Sequence, residues 1–133
     1  MPENQTIAFL DIETTGLSPQ GSELTVVGIY KCNHTCPYRR AQSEIHQLVG
    51  TDITAVTIRR ILEGVDTVYT YNGSRFDLPF IKAKLMLDIP GAWRHINLMY
   101  ACWKKKLYGG LKSVERQCGI GRTTSINGLD AVY

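Results

Sequence analysis

Asp11 and Glu13 stand two residues apart in the run Phe9-Leu10-Asp11-Ile12-Glu13-Thr14-Thr15-Gly16-Leu17, with apolar residues before and between them. Side chains alternate along an extended chain, so Ile7, Phe9, Asp11 and Glu13 share one side and Ala8, Leu10 and Ile12 the other. Two anions this close on a largely apolar strand repel each other, and protons or cations must compensate them. A divalent ion does so directly, and carboxylate oxygens suit Mg²⁺ or Mn²⁺. Thr14-Thr15-Gly16 then ends the strand, Gly16 being suited to a positive-φ turn. An Asp-x-Glu pair alone also fits an ordinary strand end, so other residues have to decide its meaning.

A third acid, Asp77, follows the turn Asn72-Gly73-Ser74 near the start of a helix predicted over residues 75–87, with Pro79 in its first turn. An acid at that place favours the helix dipole without any further role. Cys32, His34 and Cys36 form a second group of ligand types. They supply three soft donors where a structural zinc site closes with four, so a polar hairpin loop with ordinary cysteines is the favoured reading.

The elements that must position these residues alternate between strand and helix patterns. Residues 6–12 and 24–30 read as strands joined by the loop Ser18-Pro19-Gln20-Gly21-Ser22, short enough for an antiparallel pair. A third strand is expected within residues 35–41, although Pro37 weakens it. Thr51-Asp52 marks a helix start, Ile53, Val56, Arg60 and Ile61 recur at helical spacing, and Gly64 stops it. The run Val65 to Tyr71, rich in β-branched and aromatic residues, predicts a strand parallel to the first. Asn97 caps a helix predicted over residues 98–107, in which Trp103 and Leu107 pack while Lys104, Lys105 and Lys106 face solvent. Gly109-Gly110 interrupts, residues 111–118 make a short helix ended by Gly119, and a further pattern opens at residues 128–133.

With 133 residues and 44% hydrophobic content, the chain is expected to form a single domain with a real core. The lack of a long apolar run and the scattering of four cysteines predict an intracellular, cytoplasmic protein with no membrane segment. Net charge is +3 but unevenly spread: six Lys/Arg face nine Asp/Glu through Asp77, and nine face three from Leu78 on. An acidic half for cations and a basic half for phosphates suits a metal-dependent protein acting on a polyanion.

Taken together, residues 9–17 and the run Tyr71-Asn72-Gly73-Ser74-Arg75-Phe76-Asp77-Leu78-Pro79-Phe80-Ile81 resemble the first two exonuclease motifs of the DEDD superfamily of 3′-5′ exonucleases. The stretches Gly110 to Ile120 and Gly128 to Val132 are similar to later helices of its YprB-like branch. The resemblance implies an α/β, ribonuclease-H-like mixed sheet, three antiparallel strands continued by parallel ones, with helices on both faces. It implies that Asp11 bridges two divalent ions, Mg²⁺ or Mn²⁺, that Glu13 binds one, and that Asp77 joins them. Thr14, Asn72 and Phe76 would then contact the terminal nucleotide of a single-stranded or frayed 3′ end. Lys104 to Lys106, Lys112, Arg116 and Arg122 would hold its backbone.

One departure stands out. The family carries a fourth acid in a later helix, preceded by Tyr four residues or His five residues earlier. Asp130 has Ile126 and Ser125 at those places, and Asp88 and Glu115 have no such partner either. The ending at Tyr133 is expected to fall before that final helix, which leaves room for an additional domain or a partner protein.

Overall fold

The computed structural model describes residues 5–33 and 43–120. Five strands form one sheet in the order β3-β2-β1-β4-β5. Its antiparallel half consists of β1 (Thr6–Thr14), β2 (Leu24–Asn33) and β3 (Ser43–Val49). The strands β4 (Thr67–Thr70) and β5 (Arg94–Asn97) run parallel to β1 and complete the expected mixed sheet. The third strand lies beyond residues 35–41, a stretch that is itself outside the described residues. Its burial alternates weakly, because it is an edge strand with Ile45 and Val49 largely exposed.

A 3₁₀ turn at Gly50–Asp52 precedes helix α1, Ala55–Ile61, so the helix starts later than Thr51-Asp52 suggested. Thr54 is its cap: the hydroxyl accepts a hydrogen bond from the Thr57 amide at 3.1 Å. Val56 consequently faces solvent, and Ile58 and Ile61 turn inward. Helix α2, Asp77–Leu85, buries Leu78, Phe80 and Ile81 and ends on Met86 in the left-handed conformation, φ 55°. Two elements had no clear sequence signal, the one-turn helix α3 at Ile89–Ala92 and the four-residue β5. Helix α4 (Leu98–Lys104) follows β5 directly, and α5 (Leu111–Gln117) closes the described chain. The pattern at residues 128–133 and the His34 and Cys36 ligands lie outside the described residues.

The two sheet faces differ. Ala8, Leu10, Ile12, Val27, Ile29 and Val68 build a core with α1, α2 and α3. On the opposite face a row of apolar side chains runs in register across all five strands: Ile45, Tyr30, Phe9, Tyr69 and Ile96. The Phe9 ring stacks on Tyr69 at 5.4 Å and meets Tyr30 at 6.2 Å, centroid to centroid. Leu98 of α4 and Leu111 of α5 border this second face, which forms the floor of an open groove of about 660 Å³. Among the described residues no helix is long and apolar enough to cross a membrane.

Candidate active site

β1 is nine residues long, but it is paired with β4 only from Ile7 to Phe9. Past that point its β4-side edge has no strand beside it, and backbone amides there need another acceptor. Asp77 supplies one: the Ile12 amide donates to its Oδ2 at 3.1 Å. The first residue of α2 is thereby pinned against the middle of β1, in the gap where the two parallel strands part.

That contact brings Asp77 to Asp11. Asp77 is only 4% exposed, while Asp11 points from β1 toward the open groove. Burial pushes the Asp77 carboxyl up to about 7, and the negative charge of Asp11 and a hydrogen bond with it push in the same direction. Hydrogen bonds from backbone amides offset part of this shift. Glu13, on the same face of the strand, is raised above the usual carboxylate range by burial and then by Asp11; the Lys112 ammonium on α5 works against both. Asp11 therefore couples electrostatically to both other acids, and Lys112 reaches them from a helix far along the chain. Gly28, directly across the ladder from Asp11, adds no side chain and leaves the space beside it open.

Behind Asp77 the turn at Asn72–Ser74 is held from β5. Asn97 is buried, and its Oδ1 accepts hydrogen bonds from the Asn72 amide at 2.8 Å and the Met99 amide at 3.0 Å. Its Nδ2 donates to Ser74 Oγ at 2.6 Å. Asn72 itself has φ 63°, a conformation that Asn tolerates better than most residues. Its carbonyl accepts from Arg75 and Phe76, and the Gly73 carbonyl accepts from Leu78, so the turn runs straight into α2. Sequence alone marked Asn97 as a helix cap, which it is; its grip on the turn depends on β5 lying beside β4. Asn97→Leu should cost about 2 kcal/mol, since the buried Met99 amide and the half-buried Asn72 amide lose their acceptor, whereas Asn97→Asp at pH 4, where a buried carboxyl stays protonated, keeps an acceptor for both and should cost less than about 1 kcal/mol. Urea unfolding of the two variants measures the difference.

The remaining expected residues are placed as follows. Thr14 Oγ1 donates to the Gly16 carbonyl at 2.6 Å and shapes the end of β1. Phe76 is half-buried, packed on the core and on Phe80 at 5.6 Å. Arg116 is exposed on α5, and Arg122 and Asp130 lie outside the described residues. Tyr71, which had no assigned role, lines the groove and donates its hydroxyl to the Gly109 carbonyl at 2.6 Å, tying the end of β4 to the entry of α5. Among the described residues no three His, Cys, Asp or Glu side chains are gathered closely enough to hold a metal ion. The donor chemistry nonetheless fits a hard cation, because Asp11 and Asp77 meet in a contact that only a proton or a cation relieves.

The sheet order, the mixed pairing and the acids toward the carboxyl end of the central strand define a ribonuclease-H-like α/β domain. The chain belongs to the RNase_H superfamily, whose sequence profile RNase_H_2 matches residues 8–133. Among solved structures, NrnC of Brucella melitensis with pGG bound superposes with a TM-score of 0.61 at 19% identity, covering 93% of this chain and 58% of that one. The family B DNA polymerase of the archaeon Pyrobaculum calidifontis gives 0.59 at 14% identity over 89% of this chain and 19% of the polymerase. E. coli exonuclease I in complex with a dA16 oligonucleotide gives 0.56 at 19% identity, over 96% of this chain and 39% of that enzyme. The chain thus spans just over half the length of NrnC. No curated protein matches the sequence.

Proposed function

We propose that the chain is a metal-dependent 3′-5′ exonuclease domain hydrolysing phosphodiester bonds at nucleic-acid ends. The observation that carries this reading is the contact between Asp11 of β1 and buried Asp77 at the start of α2, in a ribonuclease-H-like domain. The fold shared with NrnC and exonuclease I supports it, as do the Mg²⁺ bound in one NrnC structure and the oligonucleotides in others.

Asp11 and Asp77 would hold Mg²⁺ or Mn²⁺ through their carboxylate oxygens, and Glu13, on the same face of β1, would join through the ion's water shell. When bound, paired ions of this kind activate a water and stabilise the leaving 3′ oxygen. The protein's own part is orientation. Asp77 is fixed by the Ile12 amide, so its free oxygen is aimed at Asp11 rather than at solvent. Lys112 offsets the negative charge near Glu13 and, with Arg116, faces an incoming phosphate backbone. Asn72, whose buried Oδ1 has no hydrogen-bond partner among the described residues, would contact the terminal nucleotide together with Phe76 and Thr14.

A second reading, a nucleic-acid-binding or partner-docking module that kept the fold and lost the chemistry, is favoured by two observations. The sequence offers no acid with the Tyr or His spacing, and the described residues hold no three-ligand cluster. Turnover of a 5′-labelled single strand with Mn²⁺, by wild type and by Asp11→Asn, separates the two. Stepwise shortening that disappears in Asp11→Asn is the expected result; equal rates for the two proteins would sink the nuclease reading.

A further inference from the structure

Helical spacing places Trp103 inward, yet Trp103 is 38% and Tyr100 41% exposed. Their rings meet at 5.2 Å and 58° on the outer side of α4, a pair held together beside solvent rather than buried in the core. Met99 supplies the buried side of that helix, which leaves the outer side free for another purpose.

The location of the pair is specific. Tyr100 OH lies 3.4 Å from Ser74 Oγ, in the turn that leads from Asn72 to Asp77. Asn97, the cap of α4, binds the same Ser74 hydroxyl, so the turn and the aromatic helix are anchored at one point. Because β4 and β5 run parallel, the turn after β4 and the helix after β5 emerge from the same edge of the sheet. The pair therefore stands beside the turn that leads into Asp77.

Positive charge follows directly. Lys104, Lys105 and Lys106 are all exposed, and the ion pairs found among the described residues, Lys84 with Glu23 and His46 with Glu44, use none of them. Exposed rings set beside such ammonium groups have the chemistry for a single strand: bases stack on rings whatever their identity, and phosphates lie against lysines. An apolar protein partner would not need three adjacent charges, and a duplex would not offer free base faces.

We propose that Tyr100 and Trp103, with Lys104 to Lys106, form a single-strand platform that binds the nucleotides upstream of the one held at Asn72 and Asp77. The platform rests on the proposed function, since it extends that site, but it makes a separate claim about length. A mononucleotide fills only the terminal position, whereas a strand of several nucleotides also reaches α4.

The test compares dTMP with (dT)₈, and UMP with (rU)₈, on the 133-residue chain with Mg²⁺ present and phosphorothioate linkages in the octamers so that no cleavage intervenes, using Trp fluorescence and calorimetry. Trp103→Ala should weaken binding of the octamer about 5- to 150-fold, the range of one lost base stack, and leave the mononucleotide within about twofold. Trp103→Phe should recover most of the loss. Replacing all three lysines by Gln, at exposed positions outside the core, should lower the salt dependence of octamer binding by roughly two ions on a log-log plot. Octamer affinity unchanged by both variants, with mononucleotide binding intact, overturns the platform alone. Wild type that binds neither length overturns the platform and the nucleic-acid reading together.

Discussion

Asp77→Asn should make the protein more stable at pH 8, by about 2 to 4 kcal/mol, and leave it nearly unchanged at pH 4. In the folded chain this carboxyl titrates at about 7, against 3.8 for an unperturbed Asp, because it is buried and faces Asp11. Between those two values the folded state holds a proton that the unfolded state has released, so wild-type stability falls as pH rises from about 4 to about 7 and is level above. Roughly three units at about 1.4 kcal/mol each bound the effect near 4 kcal/mol. Asn removes the charge and keeps the geometry: its oxygen still accepts from the Ile12 amide, and its NH₂ can donate to Asp11, turning a repulsion into a hydrogen bond. Urea unfolding in EDTA at pH 4, 6 and 8 gives the curve. A wild type as stable at pH 8 as Asp77→Asn would show that the carboxyl is not forced into the fold against its charge. Adding Mn²⁺ should then narrow the gap above pH 7 by stabilising only the wild type, because an ion bound by the folded acids shifts unfolding by mass action.

Gly73→Ala should damage the fold itself, costing about 3 kcal/mol and displacing Asp77. A Cβ at Gly73 would run into the Thr70 side chain, meeting its Oγ1, its Cβ and its Cγ2. Thr70 Cβ is fixed by β4, so the clash is not relieved by turning the Thr70 side chain, and the Gly73 amide would also lose its bond to Thr70 Oγ1. Thr70 cannot retreat, since it is buried and shares a 2.7 Å hydrogen bond with His95 Nε2 on β5. The turn must shift instead, carrying with it the carbonyl that accepts from Leu78 in the first turn of α2. Gly21→Ala is the control, because nothing lies within 4 Å of the added methyl and φ there is not left-handed. Equal unfolding midpoints for the two variants would refute this account of the turn.

Long, strongly patterned segments were legible in the sequence. Strands β1, β2 and β4, helix α2 with Pro79 in its first turn, the Asn97 cap and helix α5 all carry local signals that the tertiary structure respects. What was not legible depended on neighbours. Helix α3 buries only Ile89, and β5, Arg94-His95-Ile96-Asn97, looks polar; β5 pairs with β4, and between the two elements the Trp93 indole donates to the Leu62 carbonyl at 3.0 Å. Trp103 sits at a core spacing on a helix whose core side is taken by Met99. The same holds at the site: the Asp-x-Glu pair and the acid after Asn72-Gly73-Ser74 could be seen in the sequence, but not that Lys112 would stand near Glu13 or that Asp77 would seal an unpaired edge of β1.

The hydrogen bond from Ile12 to Asp77 bears on how such sequences should be compared. Asp77 is bound into the architecture as well as into any chemistry, so a descendant that had abandoned cleavage would still be pressed to keep an acceptor for the Ile12 amide there, with Asn the more stable choice. Asp11 is held in the sheet by its backbone register with Gly28, which any residue could keep, and its side chain faces the groove. Loss of selection for turnover should therefore show first as drift at position 11, with position 77 lagging. In a collection of related genes, an Asp or Asn at position 77 would report folding, and the acid at position 11 would be the better witness to catalysis.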